Sequence, residues 1–133
     1  MRVRLTDAMG TPIGALSGVV LDSKDPQGLA DFYQKLLGLE RTQDEPEWVK
    51  LMPPEGETGL SFQHEPLHRS PTWPSGEAEQ MQVHLDFQVG DLAAATAHAV
   101  AAGATLAEFQ PQENVRVMLD PAGHPFCLCS DEA

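Results

Sequence analysis

The feature that most constrains this chain is that it says the same thing twice. From Gly18 to Asp25 is seven positions, and from His84 to Asp91 is seven again. Each Asp opens a helical pattern that ends at a glycine, Gly38 in the first case and Gly103 in the second. Beyond the helices, Trp48 to Met52, a PPEG turn and Leu60-Ser61-Phe62 match Val115 to Leu119, a DPAG turn and Phe126-Cys127-Leu128. A long repeat of this kind is one supersecondary unit used twice. Each half reads strand, helix, then three strands. The repeat therefore predicts an α+β fold in which two βαβββ modules form a cupped, eight-stranded mixed sheet with the helices outside.

Periodicity assigns the faces. Val83, Leu85, Phe87 and Val89 alternate with Gln82, His84, Asp86 and Gln88, so a strand here has one apolar and one polar face. Asp91 then caps a helix whose Leu92, Ala95, Thr96, Ala99 and Val100 form a sheet-facing stripe, with His98 on the opposite, solvated side. In the first half, Leu16 to Asp22 is the strand, with Val19 and Leu21 toward the helices and Gly18, Val20 and Asp22 turned away. Pro26 suits the first helical position, where a missing N–H costs nothing. Leu29, Phe32, Tyr33, Leu36 and Leu37 make a continuous core stripe. Ala104 to Phe109 reads as a strand after the second helix.

The organisation that follows is an arm over residues 1–16, with TPIG as a turn, and one domain over 17–130. That domain comprises module 17–65, linker 66–80 and module 81–130. The linker is stiffened by three prolines and carries Trp73, and it is expected to drape over one edge of the pocket. With 133 residues the chain buries a core without disulfide staples. No apolar run is long enough to cross a bilayer, and MRVRLTDAMG has no continuous apolar stretch, so a cytoplasmic location is expected. Cys127 and Cys129 leave one strand in the same direction, poor geometry for a bridge and compatible with a reducing compartment. A formal charge of -12 disfavours nucleic acid and anionic membrane surfaces as partners and favours a cationic ligand.

The runs DPQGLADFYQKLLGLE, HLDFQVGDLAAATAHAVAAGATL and DPAGHPFCLC together resemble the glyoxalase, bleomycin-resistance and dioxygenase superfamily, the vicinal oxygen chelate proteins. The likeness covers residues 17–129, and PTWP before HLDF is similar to bacterial glyoxalase-like domain proteins. The resemblance implies a ligand pocket on the concave sheet, a homodimer and, in metal-using members, four ligands on that face. Carried over by spacing, those four positions are Gly18, Ser61, His84 and Cys127. Such members want histidine or glutamine, glutamate, histidine or glutamine, and glutamate there, and only His84 fits.

The internal repeat agrees, pairing Gly18 with His84 and Ser61 with Cys127. No cofactor is expected, and a divalent metal would need an atypical donor set around His84 and Cys127. The concave face is left with a polar set of Asp22, Ser61, Gln63, Gln82, His84, Asp86, Gln88, Cys127 and Cys129. Buried polar groups are costly unless paired, so a set of this size points to water or a polar ligand.

Two functions follow. One is binding or sequestration of a small polar or cationic ligand by Ser61, Gln63, Gln82, Asp86, Cys127 and Trp73, as in resistance proteins. The alternative is an enzyme of the vicinal oxygen chelate type, a lyase, isomerase or oxygenase acting on a small carbonyl or oxygenated metabolite. There His84 serves as catalytic base, held by Asp86, or as ligand of an atypical metal. Cys127 near His84 also offers an activated thiol. His124 reads as structural, covering its turn, and His64 and His68 as rim residues.

Overall fold

The computed structural model describes residues 3–74 and 76–131; the first two residues of the arm and residue 75 of the linker lie outside it. In chain order the elements are β1 (Arg4–Thr6), β2 (Pro12–Ala15), β3 (Gly18–Ser23), α1 (Pro26–Leu37), β4 (Glu40–Glu45), β5 (Trp48–Met52) and β6 (Gly59–His64). They continue as β7 (Leu85–Val89), α2 (Leu92–Ala102), β8 (Thr105–Leu106), β9 (Val115–Leu119) and β10 (Pro125–Ser130). This is the α+β fold of two βαβββ modules that the repeat predicts. The eight module strands form two sheets of four in the same order, β3-β6-β5-β4 and β7-β10-β9-β8. In each sheet the module's first strand runs parallel to its last, and the other pairs are antiparallel.

The local chemistry explains where the elements start and stop. Asp25 and Asp91 each accept a hydrogen bond from the N–H three residues on, Gly28 and Ala94, at 3.0 Å. Such caps contribute about 1 kcal/mol each. Gly38 ends α1 with φ 67°, the left-handed conformation that a glycine adopts without strain. Several boundaries differ from the expectation. TPIG is not the turn: the chain reverses earlier, where the Asp7 carboxylate accepts from the N–H of Met9 and of Thr11 at 2.9 Å. Pro12–Ala15 is then the returning strand of an exposed hairpin.

The expected strand Leu16 to Asp22 runs from Gly18 to Ser23, and that of Gln82 to Val89 begins at Leu85. The strand expected over Ala104 to Phe109 shrinks to Thr105–Leu106. There the Gln110 side chain donates to the Val117 carbonyl at 2.9 Å and accepts from its N–H at 3.0 Å, taking the place of a backbone ladder.

The core lies between helices and sheets, centred on α1. Tyr33 stacks on Phe62 of the first sheet with ring centroids 5.5 Å apart, and Phe32 and Tyr33 both reach Phe126 of the second, at 6.0 and 6.4 Å. One helix therefore packs against both modules. Replacing Phe62 or Phe126 by Ala costs about 3–5 kcal/mol. By contrast α2 buries only Ala99, and Val100, expected on the sheet-facing stripe, is 50% exposed. His98 is exposed as expected, yet it is not wholly solvated, since its Nε2 lies 2.9 Å from the Leu36 carbonyl at the end of α1.

The core also holds a charge. The Asp120 carboxylate is wholly buried, and it accepts from the Tyr33 hydroxyl at 2.8 Å and from His124 Nδ1 at 2.8 Å. The N–H groups of Ala122 and His124 complete the set at 2.9 and 3.0 Å. Burial first, and the Asp120 charge and hydrogen bond second, push the Tyr33 hydroxyl well above its ordinary ionisation range. Because the folded value is raised, this group's stabilisation is complete below about pH 10 and is lost as the pH rises beyond it. Tyr33 is the chain's single tyrosine. An absorbance titration should accordingly show no tyrosinate until the fold collapses at alkaline pH. Tyr33→Phe should cost about 1–2 kcal/mol in urea unfolding at pH 7 and flatten the alkaline loss.

Candidate functional site

Two strands of the second sheet bring three unlike groups together. Cys127 of β10 pairs with Asp86 of β7 in the parallel ladder, and His84, two residues before Asp86, shares its face. His84 Nε2 lies 3.1 Å from Asp86 Oδ1. Cys127 stands directly across the ladder from that carboxylate's residue. One ligating atom from each of the three lies within 4.8 Å of the other two. The buried thiol forms the floor. The Asp86 side chain is 61% exposed at the mouth, and that of His84 is 30% exposed.

Two aromatic rings close one side. The Trp73 ring, from the linker, lies over the His84 imidazole with centroids 4.7 Å apart and touches Phe109 at 5.6 Å. What brings the linker there is the turn before β10. His68 Nε2 sits 2.9 Å from the Ala122 carbonyl, the Ser70 hydroxyl donates to that carbonyl at 3.1 Å, and the His68 ring lies 4.9 Å from that of His124. Gly123, at φ 89°, has Ser70 directly against its α-carbon, where a side chain would collide. His124, bound to Asp120 through Nδ1, holds the turn. Phe109 and the His68 contact escaped the sequence reading. His68 lies in the irregular linker, and Phe109 lies beyond β8, in the part of the expected strand that does not form.

The remaining candidates lie elsewhere. Ser61 is buried on β6 and Gln63 donates to Asp22 at 2.7 Å, so they form a second polar set on the first sheet. Gln82 is exposed ahead of β7, and His64 is exposed at the end of β6. Gln63, Gln82, Asp86 and Gln88 are all solvent-facing, and no buried side-chain nitrogen or oxygen among the described residues lacks a partner. The concave polar set is thus largely hydrated, and its desolvation does not by itself demand a ligand. Of the four positions carried over for a metal, Gly18 offers no donor and Ser61 only a buried hydroxyl. The residues present do not fit that four-donor centre. Asp86, which does stand beside His84 and Cys127, is outside that set.

The electrostatics exclude an activated thiol. Burial, then the charge of Asp86, then Cys129 and the hydrogen bond to Asp86, push the Cys127 thiol up to about 12. Cys129 is raised as well, by burial and then by Asp86. Both thiols are protonated at neutral pH.

Residues 18–129 match the sequence profile of the glyoxalase-like domain family. No curated protein matches the chain at a significant level. Among solved structures, it is similar to a glyoxalase/bleomycin resistance protein/dioxygenase family enzyme from Burkholderia phytofirmans, at 23% identity and a TM-score of 0.63, over 86% of this chain and 96% of that one. A fosfomycin resistance protein from Listeria monocytogenes gives 18% identity and a TM-score of 0.66 over 89% and 93% of the two chains. An antibiotic binding protein from a Streptomyces species gives 17% and 0.57 over 89% and 96%. At these identities the likeness is one of fold.

Only about 0.01% of a thiol at 12 is ionised at pH 8, against some 20% of an ordinary cysteine. Iodoacetamide should therefore alkylate Cys127 at least ~100-fold more slowly than a free cysteine. Asp86→Asn should speed the reaction, as followed by mass spectrometry of the modified peptide.

Proposed function

The chain belongs to the glyoxalase-like domain family, and from that premise we propose that it binds or sequesters a small polar or cationic molecule at the corner formed by His84, Asp86 and Trp73. The observation that carries this reading is the Trp73 ring lying tilted over His84, with centroids 4.7 Å apart, beside a largely exposed carboxylate. An aromatic face next to a carboxylate is what a flat or quaternary cation seeks. The formal charge of -12 adds a field of the same sign over the whole surface. No step needs a metal. Cys127 supplies a neutral hydrogen-bonding floor. The antibiotic binding neighbour makes binding of a small molecule a natural use of this fold, although fold alone assigns no ligand.

A second reading is favoured by one specific contact, the 3.1 Å pair of His84 and Asp86. A carboxylate on one imidazole nitrogen fixes the tautomer and orientation of the ring, which suits proton abstraction from a small carbonyl or oxygenated metabolite. His84 is then the catalytic base.

The homodimer belongs to the same proposal. Strands β3 and β7 are the outer strands of their sheets. Val20 on β3 is 46% exposed and Val83, just before β7, is 68% exposed. A second copy would cover these edges and bring the Ser61 and Gln63 set of one chain toward the His84 corner of the other. Two free thiols fit a reducing compartment, and we place the protein in the cytoplasm. No helix among the described residues is long and apolar enough to cross a membrane.

Metal-free protein, kept in chelator, should be titrated with a panel of cationic aromatic and small polar compounds, with melting temperature and tryptophan fluorescence as readouts. Saturable binding that falls at least ~10-fold in Trp73→Ala and in Asp86→Asn is expected. Binding indifferent to both variants would move the site away from this corner. For the second reading, His84→Ala should abolish turnover with the fold intact, and unchanged turnover would remove His84 from catalysis. Sedimentation should give twice the chain mass.

A further inference from the structure

His84, Asp86 and Cys127 offer one nitrogen, one oxygen and one sulfur to a common centre. Asp86 Oδ1 lies 3.1 Å from His84 Nε2, and Cys127 stands beside Asp86 in the ladder, with one ligating atom of each within 4.8 Å of the others. We propose that these three side chains form a binding site for one borderline-soft divalent cation, of the Zn2+ class, built within a single sheet of a single chain.

The donor set decides the class of ion. Imidazole with thiolate suits zinc and its neighbours, whereas magnesium, calcium and manganese prefer oxygen alone. Zinc takes sulfur at about 2.3 Å and nitrogen or oxygen at about 2.0–2.2 Å, which sets tetrahedral donors about 3.3–3.8 Å apart. The present atoms, all within 4.8 Å of one another, reach that spacing by side-chain rotations of about an ångström. On binding, the Cys127 S–H bond breaks, a sulfur–metal bond forms and the proton leaves to solvent. His84 binds through Nε2 as its Nδ1–H tautomer, and the Asp86 carboxylate binds without losing a proton. Three protein donors leave a fourth position, which faces the open mouth beside Asp86 and takes water. Trp73 on the imidazole restricts the ring.

This centre differs from the one that the family resemblance implies. It uses two of those four positions, adds Asp86, and takes nothing from the first module. It therefore needs no second subunit. It shares a corner with the proposed small-molecule site but does not depend on it, since the ion is tested with no small molecule present and the small molecule is tested in chelator.

The experiment is a Co2+ titration of the reduced, chelator-stripped full chain, followed by Zn2+ displacement. One Co2+ per chain with a near-ultraviolet thiolate-to-cobalt band, bleached by one equivalent of Zn2+, is expected. Cys127→Ser should remove the band and Cys129→Ser should leave it. His84→Ala and Asp86→Asn should each weaken binding at least ~10-fold, the scale on which zinc sites respond to lost interactions. Serine at 127 has a precedent in the chain, since buried Ser61 fills the equivalent position of the repeat, and circular dichroism checks that the variant folds. No band, a band that survives Cys127→Ser or is lost in Cys129→Ser, or unchanged affinity in the exposed-site variant Asp86→Asn would each overturn the proposal.

Discussion

A single buried carboxylate joins the parts on which the site depends. Asp120 sits in the core with donors from α1, through Tyr33, and from its own turn, through His124 and the N–H groups of Ala122 and His124. A buried charge left unpaired is severely destabilising, so each donor is held in place. Its consequence reaches the surface. The turn that Asp120 organises presents the Ala122 carbonyl, the linker fastens there through His68 and Ser70, and the fastened linker lays Trp73 over His84. The candidate corner is in this sense an extension of the core.

The two modules repeat in backbone but not in chemistry. Gly18 and His84 occupy equivalent positions, as do Ser61 and Cys127, yet only the second module offers a cluster of donors. Asp22 is equivalent to Gln88 by the same count, and it is used locally, as acceptor from Gln63. The first module instead supplies the larger share of the packing, since α1 touches both sheets while α2 buries a single alanine. Division of labour between duplicated halves lets one half carry stability while the other is altered at little risk to the fold.

The backbone plan was legible because both of its signals are periodic. Alternation gave the strand faces, and an Asp and a Gly at fixed spacing gave both helices, so Trp48–Met52 and Val115–Leu119 fall where the repeat puts them. Boundaries shifted where a side chain replaced the backbone as hydrogen-bonding partner, as Gln110 does beyond β8 and Asp7 does in the arm. The His84, Asp86 and Cys127 grouping was half legible. Two-residue spacing placed His84 beside Asp86, but Cys127 joined them through a ladder register that no local pattern states. The aromatic cover was legible only in part, because Trp73 was expected at the pocket edge, while its contacts with His84 and Phe109 are set by interactions distant in sequence.

The central claim is that this chain keeps the family's fold while replacing its four-position, oxygen-rich centre with a self-contained corner of one sheet. Elemental analysis of protein expressed with supplemented zinc, nickel, iron and manganese, and purified without chelator, tests it most directly. Zinc near one equivalent per chain, lost in His84→Ala, is the predicted result. Manganese at one per chain, or no uptake of any ion, would contradict it.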